Sequence, residues 1–300
     1  MGLPSGAPLE DPSSLGDGQL TALLKAVFGH TAFRGRQLEL VRAVLAGRSS
    51  LGVLPTGAGK SLTYQLPALL LDGLVVVVSP LLALMRDQLE RLPPGLPGAM
   101  LQGSMTRQQV DDVMARAASG QLRLLFVGPE KLASGAVLGA LRALPALPLV
   151  CVDEAHCVAE WGHGFRPAYF RLGHLLQRVL RPRCVLALTA TATAPTRECI
   201  CRLLAVPPQH VLLDAPMRDN LRLRVEHVNG GSRGGEIASR VVTLVTRGEL
   251  AGATSVVVYC GFKAAADALA AQLTRSGVDA AAYHAGKNLA QREAVQVRSG

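Results

Sequence analysis

Two short segments hold residues that could do chemistry together. The first is Thr56-Gly57-Ala58-Gly59-Lys60-Ser61, shortly after an apolar stretch that ends at Leu54. Glycines let the backbone curl with its amides facing inward. A helix starting at about Lys60 adds its dipole, so the loop suits a string of phosphates. Lys60 would reach the β- and γ-phosphates of a nucleoside triphosphate, and the Ser61 hydroxyl would ligate Mg²⁺. The general phosphate-loop pattern has a glycine where this chain has Leu54, so the match is one residue short. An ordinary strand-turn-helix junction explains the segment less well, because lysine at a helix start needs an anion to offset the dipole.

The second segment is Asp153-Glu154-Ala155-His156-Cys157, at the end of the apolar run "LPLVCVD", followed by Trp161, His163, Phe165 and Arg166. A phosphate loop needs an acidic strand end as its counterpart. Asp153 would hold Mg²⁺, directly or through water, and Glu154 would orient and deprotonate an attacking water. A metal centre of His156, Cys157 and His163 is the competing reading. It lacks a fourth ligand and gives Asp153 nothing to do. The six cysteines, at 151, 157, 184, 199, 201 and 260, form no C-x-x-C pair and no finger-type spacing, so no zinc is expected in this chain. His156 and His163 read as relay or loop residues. Cys151 and Cys184 fall in apolar runs, where buried free thiols are common, and a reduced intracellular compartment follows.

These segments must be held by strands. Short Val- and Leu-rich runs recur at 74–79, 122–128, 147–153, 184–190 and 255–260, with helical stretches between them such as 107–118 and 263–275. Continuous rather than alternating apolar runs predict strands buried on both faces, and strand-helix alternation predicts a doubly wound α/β architecture. Ligands in such sheets sit at the carboxyl ends of strands, where Ser79, Gly128, Asp153 and Thr189 fall. The apolar stretch 66–85 contains Pro67, Asp72, Gly73 and Pro80. It is expected to be a helix tail, a turn, a buried strand and a loop, with no role in a membrane. Residues 1–19 read as a flexible lead without a signal peptide, 20–212 as the first domain, and 213–300 as the start of a second. The boundary lies near 212–220, ahead of the glycine-rich loop at 229–236.

The chain has 300 residues, 49% of them hydrophobic and only 4% aromatic, so Leu, Val and Ala must fill its cores. Its formal charge of +9 suits a polyanionic partner such as nucleic acid. Biased base composition explains the arginine excess equally simply, so charge alone does not decide.

"PTGAGKS", "DEAH" and the "TAT" of Thr189–Thr191 together resemble the superfamily-two helicases. "HCVAEWGHGFRPAY" (156–169) is similar to the aromatic-rich loop of RecQ DNA helicases. "FGHTAFRGRQ" (28–37) resembles their adenine-recognition motif, with Phe33, Arg34 and Gln37 at the matching places. The resemblance implies that the glutamine reads the adenine edge and the arginine packs on the ring. The family's usual "FRPGQ" is "FRGRQ" here, which predicts a differently bent loop. "SPLLALMRDQ" (79–88), "GPEKL" (128–132), "MRDNLRLRV" (217–225) and "AYHAGKNLAQRE" (282–293) resemble further motifs of the family, so the likeness covers residues 20–300.

The resemblance implies a RecA-like parallel-sheet lobe followed by an incomplete second RecA-like lobe. It implies ATP and Mg²⁺ as cofactors, 3′-to-5′ unwinding of DNA in replication, recombination and repair, single-stranded and forked DNA as partners, and a nuclear location with some cytoplasmic presence. It leaves protein partners unknown. Trp161, Phe165 and Arg166 would contact single-stranded DNA, with His156, Thr189 and Thr191 coupling them to the nucleotide. The family's arginine-finger motif has no match here, so a fragment with poor activity on its own is expected. The alternatives are a truncated chain that binds ATP and DNA without turnover, and an RNA helicase of the related DEAD/DEAH groups. The aromatic loop argues against the second.

Overall fold

The computed structural model describes residues 11–160, 167–214, 221–227 and 233–298. Contacts divide the chain into two compact units, Met1–Asp219 and Asn220–Gly300.

The first unit is built on seven strands: β1 (Ser50–Val53), β2 (Val75–Val78), β3 (Gly98–Leu101), β4 (Leu124–Val127), β5 (Leu149–Val152), β6 (Cys184–Thr189) and β7 (Val211–Leu213). They form one sheet in the order β3-β4-β2-β5-β6-β1-β7, with every pairing parallel. Helices α1 (Asp17–Phe28), α2 (Gln37–Leu45), α3 (Leu62–Leu70) and α4 (Leu82–Glu90) lie in the first part of this unit. They are followed by α5 (Arg107–Ala118), α6 (Pro129–Leu132), α7 (Gly135–Arg142), α8 (Cys157–Glu160), α9 (Pro167–His174) and α10 (Ala194–Leu204).

Strand alternation sorts the core into two layers. Val75, Val77, Leu149, Cys151, Leu186 and Leu188 pack with Leu20, Leu24, Leu40, Leu62, Tyr64 and Met85 from α1–α4. Their neighbours Val76, Val78, Val150, Val152, Val185 and Ala187 pack with Val110, Leu141, Leu172 and Ile200 from α5, α7, α9 and α10. Each strand therefore needs apolar side chains on both faces, which is why the runs read as unbroken Val and Leu. Truncating one of these fully buried leucines to alanine costs about 2–5 kcal/mol. Cys151 and Cys184 are buried and free. Burial pushes both thiols up, Cys184 to about 12.

The stretch 66–85 resolves into the end of α3, β2 and the start of α4. Among the described residues no helix is long and apolar enough to cross a membrane. Strands β3 and β7 carry no clear signal in sequence. β3 is Gly-Ala-Met-Leu, with a glycine first, and β7 is a half-exposed three-residue edge. Both exist because a neighbour offers a ladder.

The second unit contains α11 (Arg233–Thr246), α12 (Lys263–Arg275) and α13 (Leu289–Arg298). The run 255–260, expected as a strand, forms none: Val257 is 74% and Tyr259 95% exposed. A strand persists only by pairing, and no partner strand lies beside it among the described residues. Ion pairs join Arg224 to Glu226 and Glu249, and Arg240 to Glu226. Asp267 is held between His284 at 3.0 Å and Lys287 at 2.8 Å.

Candidate nucleotide-binding site

The phosphate loop connects β1 to α3. Leu54 does not act as a loop residue. Its amide donates to the Thr189 carbonyl at 3.0 Å, extending the β1–β6 ladder by one step, and its side chain is fully buried in the α1–α4 core. A side chain is wanted there, so a glycine would leave a cavity. The turn begins only after it. The Ala58 amide closes on the Pro55 carbonyl at 3.1 Å, and Gly57 and Gly59 adopt φ of +81° and +72°. Only glycine takes these values without strain. A Cβ on Gly59 would also meet Gln37 Nε2 at 2.7 Å. The amides of Gly57, Gly59, Lys60 and Ser61 have no acceptor among the described residues. Ser61 stands at the N-cap position of α3 without a side-chain cap bond, and the turn leading into the helix closes through Leu62 N to Gly59 O. The loop is thus a nest of free N–H groups at a helix start, which attracts anions. Thr56 and Ala58 contribute backbone to it. Lys60 Nζ reaches back across the loop to the Leu54 carbonyl at 3.4 Å.

Gln37 opens α2 and is only 3% exposed. Its Nε2 donates to the carbonyls of Ala58 at 2.7 Å and Gly59 at 3.0 Å, while its Oε1 accepts from the Arg34 amide at 2.8 Å. The side-chain amide therefore clamps the two motifs to each other. Phe33 is half-buried against the α1–α4 core and Arg34 is exposed. Gly35 has φ +46°, which proline, fixed near −65°, cannot adopt, so a proline at this position would require a different local backbone. A cleft of about 500 Å³ opens beside Ser61, lined by His30, Gln65, Asp87, Gln88 and Arg91. Ser61, His30, Asp87 and Gln88 lie within the motifs quoted from the sequence, while Gln65 and Arg91 do not carry a predicted role. They come from the segment after α1, from α3 and from the end of α4, and nothing in the sequence says that these three meet.

The acidic pair sits at the end of β5. Asp153 N donates to Val78 O at 2.9 Å, so the ladder reaches one residue past the strand. Its Oδ1 accepts from the Glu154 amide at 3.0 Å. Burial, then the charge of Glu154, pushes Asp153 up to about 6, against the pull of that amide, Lys60 and His156. Glu154 has φ +48°, a strained conformation for a residue with a side chain. Two carboxylates crowded at a buried edge favour a cation, and their donors, like the Ser61 hydroxyl of the phosphate loop, are oxygens, which suits Mg²⁺. Cys157 is packed in the core and His163 lies outside the described residues.

Strand order brings loop and acid together. β6 alone separates β1 from β5, which sets their carboxyl ends about 10 Å apart. The end of β6 fills that interval with Thr189, which is fully buried. Its hydroxyl donates to Thr191 O at 2.9 Å, and its oxygen accepts from Thr191 N at 3.3 Å. The single hydroxyl proton is thereby used, so His156 Nδ1, 3.0 Å away, must be the donor in that contact. The same Nδ1 lies 3.3 Å from Glu154 Oε2. A continuous polar path thus runs Glu154–His156–Thr189–Thr191. Trp161, Phe165 and Arg166 lie outside the described residues.

A loop of free amides facing an acidic strand end is an arrangement that can hold a nucleoside triphosphate with its metal ion. Residues 34–199 match the DEAD/DEAH box helicase family, and the chain belongs to that family. It is 38% identical to the ATP-dependent DNA helicase Q-like 5 of Arabidopsis thaliana over 93% of this chain and 30% of the relative. It is 38% identical to the ATP-dependent DNA helicase RecQ of Haemophilus influenzae over 96% of this chain and 44% of the relative. The human ATP-dependent DNA helicase Q4 is likewise 38% identical, over 94% of this chain and 25% of its own length. The chain thus spans less than half of each of these relatives. Among solved structures, the DUF1998 helicase MrfA bound to DNA superposes with a TM-score of 0.68 at 16% identity, covering 97% of this chain and 43% of that one. A hypothetical ATP-dependent RNA helicase from Sulfolobus tokodaii gives 0.50 at 18% identity, over 66% and 57%. At such identities these likenesses speak for the fold alone.

Proposed function

We propose that the chain is the motor core of an ATP-dependent DNA helicase of the RecQ kind. It would bind Mg·ATP at the 56–61 loop and couple hydrolysis to 3′-to-5′ movement on single-stranded and forked DNA. A nuclear role in replication, recombination and repair accompanies that reading. The observation that carries it is the meeting of the phosphate loop and the Asp153–Glu154 pair on either side of Thr189, with the polar path leading away from the acid.

In the reaction, the free amides of the loop hold the phosphates and Lys60 leaves Leu54 O to neutralise their charge. Ser61 and Asp153 would hold Mg²⁺, whose charge would help neutralise the phosphates. Glu154, fixed by its left-handed backbone, orients the attacking water and accepts its proton. His156 registers the state of Glu154 and passes it through Thr189 to Thr191. Gln37 selects adenine by exchanging its contacts with the loop for contacts with the base edge, while Arg34 packs on the ring. Trp161, Phe165 and Arg166 take the DNA side of the coupling by stacking and phosphate pairing.

The test is ATPase rate with and without single-stranded DNA, alongside strand displacement on a fork. DNA-stimulated hydrolysis that disappears in Glu154→Gln supports the reading. Nucleotide and DNA binding without any turnover would point instead to a non-catalytic binder, and stimulation by RNA but not DNA would point to an RNA helicase.

A further inference from the structure

Ser79 ends a run of four valines at the carboxyl end of β2, and the site described above does not use it. It is 2% exposed, and its Oγ is a buried polar atom with no hydrogen-bond partner among the described residues. Leaving a buried hydroxyl unpaired costs free energy, and the four preceding positions show that an apolar residue suits this strand. A reason for the hydroxyl is therefore required.

The sheet says what it faces. Val78 pairs with Val152, so the next residues, Ser79 and Asp153, are lateral neighbours on adjacent strands. The ladders continue past both: Ser79 N donates to Val127 O at 3.1 Å and Asp153 N to Val78 O at 2.9 Å. Val75 and Val77 on β2, and Leu149 and Cys151 on β5, pack in the layer that contains α3. Alternation puts Ser79 and Asp153 on that same face. Pro80 follows, which confines Ser79 to extended backbone and keeps the alternation in force. The charge of Lys60, in the phosphate loop ahead of α3, is felt at Asp153.

We propose that Ser79 is a positioning residue of the nucleotide–metal site: its hydroxyl anchors, together with Asp153, the water shell of the bound Mg²⁺. This rests on the nucleotide-site reading above. Partners one layer behind the ligands orient them, and removing such a partner weakens metal affinity by roughly 10–100-fold.

The experiment titrates Mg²⁺ into the full chain with a fluorescent ATP analogue, and repeats the binding in EDTA. It compares wild type with Ser79→Ala, Ser79→Thr and Ser79→Cys, and records unfolding temperature without nucleotide. Ser79→Ala is expected to leave affinity in EDTA and the apo unfolding temperature unchanged or slightly raised, while the Mg²⁺ midpoint rises roughly tenfold or more. Ser79→Thr, which keeps the hydroxyl, restores the midpoint, and Ser79→Cys, similar in size but a weak donor, does not. An unchanged Mg²⁺ midpoint in Ser79→Ala and Ser79→Cys overturns the proposal. So does a marked fall in apo stability with Ser79→Ala, because the hydroxyl would then have a structural partner. If wild type itself binds the analogue without any Mg²⁺ dependence, or not at all, the nucleotide-site reading fails first.

Discussion

His156 Nδ1 and the Thr189 hydroxyl lie 3.0 Å apart, joining the segment after β5 to the end of β6. Thirty-three positions separate them in the chain. They meet because β5 and β6 run parallel side by side, so both strand ends arrive at one edge. The contact puts the carboxylate of Glu154 and the Thr191 backbone on the same hydrogen-bonded path.

Thr189→Val removes the hydroxyl while keeping the shape of the side chain. It takes one contact from the His156 N–H, which keeps Glu154 Oε2 at 3.3 Å, and removes the hydroxyl that the Thr191 amide and carbonyl engage, so stability should fall by about 1–3 kcal/mol. Nucleotide affinity should hold while the stimulation of ATPase by single-stranded DNA is lost. Urea unfolding and ATPase assays check this; stimulation that survives in the folded variant removes Thr189 from the coupling path.

Lys60→Ala should weaken ATP binding by roughly 10–100-fold, the worth of a charge-assisted contact with phosphate. In the nucleotide-free protein its one side-chain hydrogen bond among the described residues is the long 3.4 Å contact with Leu54 O, beside a charge effect on Asp153, so apo stability should stay within about 1 kcal/mol of wild type. Isothermal titration and thermal unfolding separate the two. A large stability loss would mean the lysine serves the fold.

Gln37→Ala breaks the clamp between the adenine motif and the phosphate loop. Three hydrogen bonds of a buried side chain go with it, and the expected loss of stability is about 1–3 kcal/mol. Wild type should prefer ATP to GTP, and the variant should bind both alike. Equal affinities in wild type would show that the clamp is all that Gln37 does.

Asp153 gives a pH signature in the protein freed of metal by EDTA. Its folded pKa of about 6 stands above the unfolded carboxyl value of about 3.9. Its contribution to stability is therefore fully present below about pH 3.9 and is lost as pH rises through about 6. The difference amounts to about 3 kcal/mol at most. Asp153→Asn should accordingly be more stable than wild type at pH 8, with the gap closing toward pH 4. Parallel stability curves for the two proteins across that range would contradict the buried, crowded carboxylate.

Much of the site was legible because its parts are local. Gly57 and Gly59 need positive φ and Lys60 and Ser61 follow them directly, so loop, charge and helix start can be read in six consecutive residues. Asp153-Glu154 after "LPLVCV" is legible for the same reason, since an unbroken apolar run marks a strand buried on both faces and the next residue marks its end. What the tertiary structure decided is everything that depends on strand order. Nothing in the chain says that β6 lies between β1 and β5, so neither the Glu154–His156–Thr189 path nor the pairing of Ser79 with Asp153 could be read from spacing. Spacing makes Leu54 a missing glycine, whereas its hydrogen bond to Thr189 and its burial make it a core residue just past β1. The run 255–260 has the composition of a strand and is not one, while Gly98–Leu101 has little of it and is. Helix signals such as 263–275 depend on hydrogen bonds to residues four positions away. A strand depends on a partner from elsewhere in the chain, and composition cannot supply the partner.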